Sequence, residues 1–310
     1  MIKAFEIKNQ IGDRVTLLDL GARLVSWQTD VAGEERELVV SYPYLDDFYD
    51  DSCYVGAIAG PYANRIARSE IEINGILHKL SANEDENHLH GGKNALDSCV
   101  WQLKEHSERA ITFKYWLEDG FNGYPGAMTF EVEYRLAENA SQLKINFNVE
   151  TEKPTVIGPT GHAYFNLSGV ESTIDEHQLK INSSTYTPVN SSHIPTGQMF
   201  NLAGSELDFS DAKTIGRQAL DHNFISNDNE VAVATLYSPC GKLSLSVKSD
   251  YPGIQVYTGD YLVSPLAPRQ GICLEPQFYP DSPNKSEFPF ELTTPGTTFN
   301  KKILYKIEKY

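Results

Sequence analysis

Alternation of apolar and polar residues is the strongest pattern along this 310-residue chain. In the stretch MTFEVEYRL, residues 128–136, every second side chain is apolar and the intervening ones are charged or hydroxylated. The stretches QLKINFNVE, ITFKYWL and KLSLSVKS repeat the pattern. Because a period of two places alternate side chains on opposite faces of a sheet, these segments are predicted to be half-buried antiparallel strands.

Turn residues divide the predicted strands, and helical signals are few. The stretch EIEINGILHKL predicts a hairpin, because Asn74 and Gly75 tolerate the positive φ angles of a type I′ turn. The stretch SDAKTIGRQAL predicts one short helix with an N-cap at Ser210 or Asp211. Many short strands separated by Gly, Pro, Asn and Asp predict an all-β fold, a large antiparallel β-sandwich or barrel with few short helices.

Composition and charge limit the partners that this chain can have. Its 42 acidic and 26 basic side chains give a formal net charge of −16. Nucleic acids and anionic membranes attract clustered Lys and Arg, so neither is an expected partner. No apolar run approaches membrane-spanning length, and the opening MIKAFEIKNQIGDRV lacks a signal-peptide pattern. A soluble cytoplasmic protein is predicted, with residues 1–310 in one domain because no linker-like stretch divides the chain.

The cysteines are few and far apart, and none forms a C-x-x-C pair. In a chain of this length such spacing predicts free thiols. The four residues are Cys53, Cys99, Cys240 and Cys273.

Two polar clusters in the first third of the chain are candidate ligand-binding segments. Asn64 and Arg65 stand before a predicted strand, where Arg65 can hold a hydroxyl or a carboxylate; a surface arginine in a loop is the alternative. His88 and His90 are two residues apart, so in a strand their side chains point the same way. Such a pair can begin a metal site, but no further ligand follows at short spacing and no metal is predicted. A turn with one exposed histidine is the alternative.

Four more candidates lie in the second half of the chain. His162, within TGHAYFNLSG, is either a proton carrier or a buried structural histidine. Asp221 can accept two hydroxyl groups or can be a turn aspartate, and Gln255 lies in a further strand-like segment. Glu275 ends the apolar run GICLE. Partial desolvation there would raise its affinity for a proton and make it a better base, whereas an edge-strand glutamate at the surface is the alternative.

The sequence lacks the signatures of two widespread protein classes, serine hydrolases and nucleotide-binding proteins. The chain has no G-x-S-x-G elbow, so a serine hydrolase is not supported. No G-x-G-x-x-G or P-loop follows a predicted strand, so nucleotide binding is not supported either.

Taken together, the motifs resemble those of the aldose 1-epimerase, or galactose mutarotase, family. They occur in the family's order and cover nearly the whole chain. The matching segments are ANRIARSEIEING, LHGG, DGFNGYPG, HAYFNLSG, DHNF, QVYTGD, CLEPQFYPDSPN and TPGTTFNKKILYKI.

The resemblance implies a galactose mutarotase-like β-sandwich, called a supersandwich, and a reaction that needs no cofactor. The reaction would interconvert the α and β anomers of a free aldohexose such as galactose or glucose. It requires removal of a proton from the C1 hydroxyl and delivery of a proton to the ring oxygen. By resemblance, Glu275 is the general base and His162 the general acid. The implied sugar-binding residues are Asn64, Arg65, His90, Asp221 and Gln255.

Three positions depart from the family pattern, Pro61, Gly161 and Pro276, and none of them removes a proposed catalytic group. A hexose-phosphate mutarotase is one alternative, although it would need a basic pocket for the phosphate. A sugar-binding β-sandwich without catalysis is another, although it would not need both His162 and Glu275. The expected partner is a small sugar. The preferred hexose is not indicated, and the sequence fits a monomer and a dimer equally.

Overall fold

Strands account for nearly all of the regular structure in the computed structural model, which describes residues 1–310. The first thirteen strands are β1 (Ala4–Lys8), β2 (Arg14–Leu18), β3 (Leu24–Val31), β4 (Glu34–Glu37), β5 (Val39–Val40), β6 (Ile58–Ala59), β7 (Arg65–Ile66), β8 (Glu70–Ile73), β9 (Ile76–Lys79), β10 (His88–Leu89), β11 (Gln102–His106), β12 (Ala110–Leu117) and β13 (Met128–Leu136). The remaining strands are β14 (Gln142–Thr151), β15 (Thr160–Gly161), β16 (Tyr164–Phe165), β17 (Gln178–Ile181), β18 (Thr185–Thr187), β19 (Phe200–Asn201), β20 (Lys213–Thr214), β21 (Asp221–Ile225), β22 (Ala234–Tyr237), β23 (Leu243–Ser249), β24 (Gly253–Tyr257), β25 (Ile272–Gln277) and β26 (Phe299–Lys309).

Helical structure is limited to short 3₁₀ turns between strands. They span Leu45–Asp50, Ala67–Ser69, Leu96–Ser98, Phe121–Gly123 and Ser282–Asn284. None of these helices has the length or the apolar character needed to cross a lipid bilayer.

The largest sheet has nine strands in the order β11-β12-β13-β14-β26-β23-β22-β17-β20, and all its pairings are antiparallel. It contains all four strands predicted from alternation. In β13 the apolar residues are buried and the intervening ones are more exposed. The period-two pattern therefore predicted both the strands and the face of the sheet that they bury.

A second large sheet has seven strands in the order β19-β18-β21-β24-β25-β16-β5. The two sheets pack face to face, and Tyr305 of β26 donates its hydroxyl hydrogen to the Leu274 carbonyl of β25 at 3.2 Å. The ring of Tyr305 also lies 5.0 Å, centroid to centroid, from that of Phe165 in β16. One cluster of 56 buried residues, running from Ile7 to Ile307, joins the sheets. The predicted all-β sandwich is confirmed.

Two local predictions have opposite outcomes. The predicted hairpin is confirmed: β8 pairs with β9, and Asn74 and Gly75 have φ angles of +52° and +79°. The predicted helix after Ser210 is wrong. Lys213–Thr214 forms β20 and pairs with β17, and Gly216 follows with a φ of +59°, which a right-handed helix cannot contain.

All four cysteines are free thiols, as their spacing predicted. Cys240 is exposed, Cys53 and Cys99 are half-buried, and Cys273 is buried in β25.

Candidate active site

One cavity of about 360 Å³ opens beside the seven-stranded sheet and is lined by all seven residues to which the family resemblance gives a catalytic or sugar-binding role. These seven are Asn64, Arg65, His90, His162, Asp221, Gln255 and Glu275. The other lining residues are Ser52, Cys53, Tyr54, Glu84, Leu89, Tyr164, His193, Tyr257 and Tyr261.

Glu275 lies on a central strand of the seven-stranded sheet. Strand β25 lies between β24 and β16, and the Glu275 side chain is only 2 % exposed, so the alternative of a surface glutamate on an edge strand is wrong. Gln255 pairs with Glu275 in register, and Asn223 pairs with Gln255, so a row of polar side chains crosses three strands. No protein group hydrogen-bonds the Oε2 atom of Glu275, and this atom is itself fully buried.

His162 is held between β15 and β16 by its own backbone. Its N–H donates to the Ala57 carbonyl at 2.8 Å, and its carbonyl accepts from the Gly56 N–H at 3.1 Å. The two ring nitrogens have different neighbours. Nε2 lies 3.6 Å from Oε2 of Glu275, and Nδ1 lies 3.5 Å from Sγ of Cys273. His162 is buried, as the structural alternative expected, but one edge of its ring faces the cavity.

Burial controls the protonation of this pair. It lowers the pKa of His162 to about 4, because the charged imidazolium is poorly solvated there. Burial likewise raises the pKa of Glu275 well above its ordinary value, and the negative charge of Asp221 raises it further. Above about pH 4, and up to the raised pKa of Glu275, the pair therefore holds one proton in total. One proton shared by two groups is what an acid and base that exchange roles require.

His162, Cys273 and Glu275 also form a cluster whose potential metal-ligand atoms lie within 4.8 Å of one another. The two short distances use opposite nitrogens of the imidazole, Nδ1 for the thiol and Nε2 for the carboxylate. An ion between the ring and the thiol would therefore sit away from the ring edge that faces Glu275. The arrangement is better suited to fixing the orientation of the ring than to chelating an ion.

His90 and Asn64 fix each other's geometry. The Asn64 N–H donates to Nδ1 of His90 at 3.2 Å, and the His90 N–H donates to the Asn64 carbonyl at 3.1 Å. Burial lowers the pKa of His90 well below its ordinary value, so the ring is neutral. Because Nδ1 is the acceptor, the ring hydrogen is on Nε2. His90 is therefore a neutral hydrogen-bond donor.

His88 does not share the environment of His90, although the sequence predicted side chains that point the same way. His90 has a φ of +50°, which ends the extended segment after Leu89. Both nitrogens of His88 are used inside the protein, Nδ1 with the Ser81 carbonyl and Nε2 with the Tyr124 hydroxyl. Neither histidine is the exposed turn residue of the alternative reading, since both are buried.

Arg65 and Asp221 lie next to each other in the lining of the cavity. The Arg65 side chain is 12 % exposed, so it is not a free surface arginine. Its Nη1 lies 3.9 Å from Oδ2 of Asp221, and Gln255 Nε2 donates to Oδ1 of Asp221 at 2.6 Å. Asp221 opens β21 as part of the sheet, so the turn-aspartate alternative is wrong.

Several lining residues were not singled out from the sequence. Tyr54 has a φ of +55°, and its ring lies 4.5 Å from that of His90 and 5.7 Å from that of His162, between centroids. Glu84 accepts two hydrogen bonds from Arg65. These residues lie in loops without periodicity, and His193 does as well. No local signal separates them from ordinary loop residues.

The comparisons with known proteins agree with this geometry. The family model described as aldose 1-epimerase matches residues 3–306. The Haemophilus influenzae protein named aldose 1-epimerase is 35 % identical, with 91 % of this chain and 88 % of that protein covered. The human protein named galactose mutarotase is 29 % identical, with coverages of 98 % and 94 %.

A solved structure of an aldose epimerase homologue from C. elegans is similar to this fold over 100 % of this chain and 99 % of that one, with a TM-score of 0.95 and 26 % identity. The protein described here belongs to the aldose 1-epimerase family, a family of isomerases.

Proposed function

We propose that this protein is an aldose 1-epimerase that interconverts the α and β anomers of a free aldohexose such as galactose or glucose. The observation that carries the proposal is the approach of His162 Nε2 to within 3.6 Å of Glu275 Oε2 in one cavity. The two oxygens that exchange protons in mutarotation, O1 and the ring oxygen O5, are bonded to the same carbon. The acid and base that serve them therefore need to be close neighbours.

Ring opening needs one proton removed and one delivered. Burial favours the form with the shared proton on Glu275, so this proton first passes from Glu275 to His162. Glu275, then a carboxylate, takes the proton of the C1 hydroxyl, and His162, then an imidazolium, gives a proton to O5. The electron pair of the former O1–H bond forms the carbonyl, and the C1–O5 bond breaks with its pair going to O5. The products are an open-chain aldehyde, a protonated Glu275 and a neutral His162, so charge and protons balance.

Ring closure runs the same steps in reverse on the other face of the aldehyde. The C1–C2 bond turns, His162 removes the proton from the C5 hydroxyl, and Glu275 returns a proton to the carbonyl oxygen. Each residue ends in its starting protonation state. The pair of His162 and Glu275 holds one proton at every stage, on one residue or the other. The cycle therefore needs no exchange of protons with solvent.

The remaining residues are proposed to hold the sugar. His90 offers an Nε2–H donor and Asp221 offers carboxylate oxygens. Gln255 also lines the cavity and holds Asp221 through a hydrogen bond. Arg65 supplies donors, and the neighbouring Asn64 holds His90 in its donor form. Hydroxyl-rich neutral ligands require such a mixture of donors and acceptors.

The proposal includes residues 1–310 acting as one domain, which the core cluster of 56 residues from Ile7 to Ile307 supports. It also includes a small sugar as the partner and a cytoplasmic location without nucleic-acid binding. The formal net charge of −16 supports the last point.

Polarimetry of freshly dissolved α-glucose and α-galactose tests the function. The wild-type protein is expected to speed the approach to the equilibrium rotation for at least one of the two sugars. Decay no faster than in buffer for both sugars would refute the proposal.

A further inference from the structure

The cavity contains one permanent cation. Arg65 is the only arginine or lysine among the lining residues, which also include the acidic residues Glu84, Asp221 and Glu275. Whether an anionic sugar can bind therefore depends on whether Arg65 has hydrogen-bonding capacity and unbalanced charge to offer.

Glu84 occupies most of the hydrogen-bonding capacity of Arg65. Nε of Arg65 lies 2.6 Å from Oε2 of Glu84, and Nη2 lies 2.8 Å from Oε1, which is the paired fork geometry of a guanidinium and a carboxylate. The third nitrogen, Nη1, lies 3.9 Å from Asp221. Burial acts to lower the pKa of Arg65, but the hydrogen bonds and charge of Glu84, together with the charge of Asp221, keep this pKa above its ordinary value. The guanidinium is thus neutralised from two sides.

The loop that carries Glu84 is stabilised by internal hydrogen bonds. The Glu84 N–H donates to the Asn87 carbonyl at 3.1 Å, and the Asn87 N–H donates back to the Glu84 carbonyl at 2.8 Å. The Asn83 side chain bonds both backbone groups of Leu89, at 2.7 Å and 3.0 Å. The Glu84 side chain is 32 % exposed at the cavity mouth and is held toward Arg65 by the loop.

We propose that Glu84 is a specificity-determining residue that makes the cavity select neutral sugars and reject anionic ones. The inference rests on the proposed function and deepens it by defining the charge of the substrate. A carboxylate or phosphate on the sugar would meet an arginine already paired with Glu84 and would stand close to the carboxylate of Asp221. Like charges placed together in this way act against the wrong partner.

A purely positioning role for Glu84 predicts different behaviour. If Glu84 only holds Arg65 in place, its loss lowers kcat/KM for neutral and anionic sugars by the same factor. If its charge sets specificity, replacement by Gln raises kcat/KM for anionic sugars relative to that for neutral ones, because Gln keeps an acceptor for Arg65 and removes the negative charge. The ratio of the two kcat/KM values separates the two roles.

The experiment compares wild type, Glu84→Gln and Glu86→Gln by polarimetry with glucose and with glucuronate. Glu86 is an exposed residue of the same loop that does not line the cavity, so its variant has the same change in net charge. The glucuronate-to-glucose ratio of kcat/KM is expected to rise about tenfold or more in Glu84→Gln, the size of effect that one charged contact produces. It should stay within about twofold of wild type in Glu86→Gln.

Two further readouts complete the test. The inhibition constant of glucuronate against glucose turnover should fall in Glu84→Gln, which reports binding apart from turnover of the anion. The wild-type ratio should rise between about 0.01 M and about 1 M ionic strength, as salt screens the repulsion. An unchanged ratio in Glu84→Gln, or an equal rise in Glu86→Gln, would overturn the inference. A wild type inactive on every neutral hexose would instead overturn the proposed function.

Discussion

Nε2 of His162 and Oε2 of Glu275 lie 3.6 Å apart, slightly beyond hydrogen-bond distance. No hydrogen bond therefore joins the two side chains, and they are near enough to each other to serve neighbouring oxygens of one ligand. Both side chains are nearly inaccessible to solvent, at 6 % and 2 %. Their chemistry is therefore set by burial and by each other more than by bulk water.

The pH dependence of kcat follows from this burial. Since the pKa of His162 is lowered to about 4, the pair gains a second proton only below that pH, and activity should fall there. Since the pKa of Glu275 is raised, the pair loses its only proton well above pH 4.5, and activity should fall again on that side. Polarimetric rates corrected for the buffer reaction check the profile. An acid limb centred near the ordinary histidine value of about 6.5 would contradict it.

Replacing Asp221 by Asn should weaken sugar binding more than it slows turnover. The change keeps the shape of the side chain and removes a charged acceptor, and hydrogen bonds to charged groups are worth about 1.5–3 kcal/mol. KM for glucose is expected to rise about tenfold or more, with a smaller change in kcat.

Asp211→Asn is the matched control for this variant, because Asp211 is exposed and does not line the cavity. A KM for Asp221→Asn equal to that of the control would remove Asp221 from the binding set.

Cys273 should support His162 through Nδ1, which lies 3.5 Å from its sulfur. Burial raises the pKa of this thiol well above its ordinary value, so the group stays neutral. Cys273→Ala is expected to lower kcat about two- to tenfold, which corresponds to the free energy of one hydrogen bond. The same change should shift the acid limb of the pH profile. Cys273→Ser should recover part of the loss.

Cys240→Ala serves as the control for the thiol, since Cys240 is exposed and outside the cavity. Identical pH profiles for the Cys273 and Cys240 variants would show that Cys273 does not act through the imidazole.

Gly91 should tolerate no side chain. A Cβ atom there would lie 1.9 Å from the carbonyl oxygen of Gly60, and the residue has a φ of +93°. Gly91→Ala is expected to lower the free energy of unfolding by about 2 kcal/mol or more and to displace the adjacent His90. Gly33 has a similar φ of +88° with no atom within 4 Å of its Cβ position. Gly33→Ala should therefore cost only the backbone strain, about 1–2 kcal/mol. Denaturant unfolding compares the two, and equal losses would rule out the clash.

The strands with clear alternation could be predicted from the sequence because the signal is local. In β13 the apolar face and its period are visible in nine consecutive residues, and the Asn74–Gly75 turn is visible in two. The helix predicted after Ser210 is wrong because a capping residue is a weak signal on its own. The structure of that segment is set instead by the pairing of Lys213–Thr214 with the distant strand β17, which no local pattern reveals.

The composition of the site could be predicted only in part. The seven predicted residues were identified by resemblance, and the fold brings all of them to one cavity. Tyr54, Glu84 and His193 were missed because they become neighbours of the site only through long-range packing of loops. The different environments of His88 and His90 depend on one positive φ angle, which two-residue spacing does not reveal.

The most direct test of the account is polarimetry of fresh α-glucose and α-galactose with His162→Ala, Glu275→Gln and the double variant. Each single change is expected to lower kcat by about 10²-fold or more, while Glu275→Gln still binds sugar. Because the two residues act as one proton-exchanging unit, the double variant should be little slower than the slower single variant. Fully multiplicative losses, or a single variant with wild-type kcat, would contradict the pairing of His162 with Glu275.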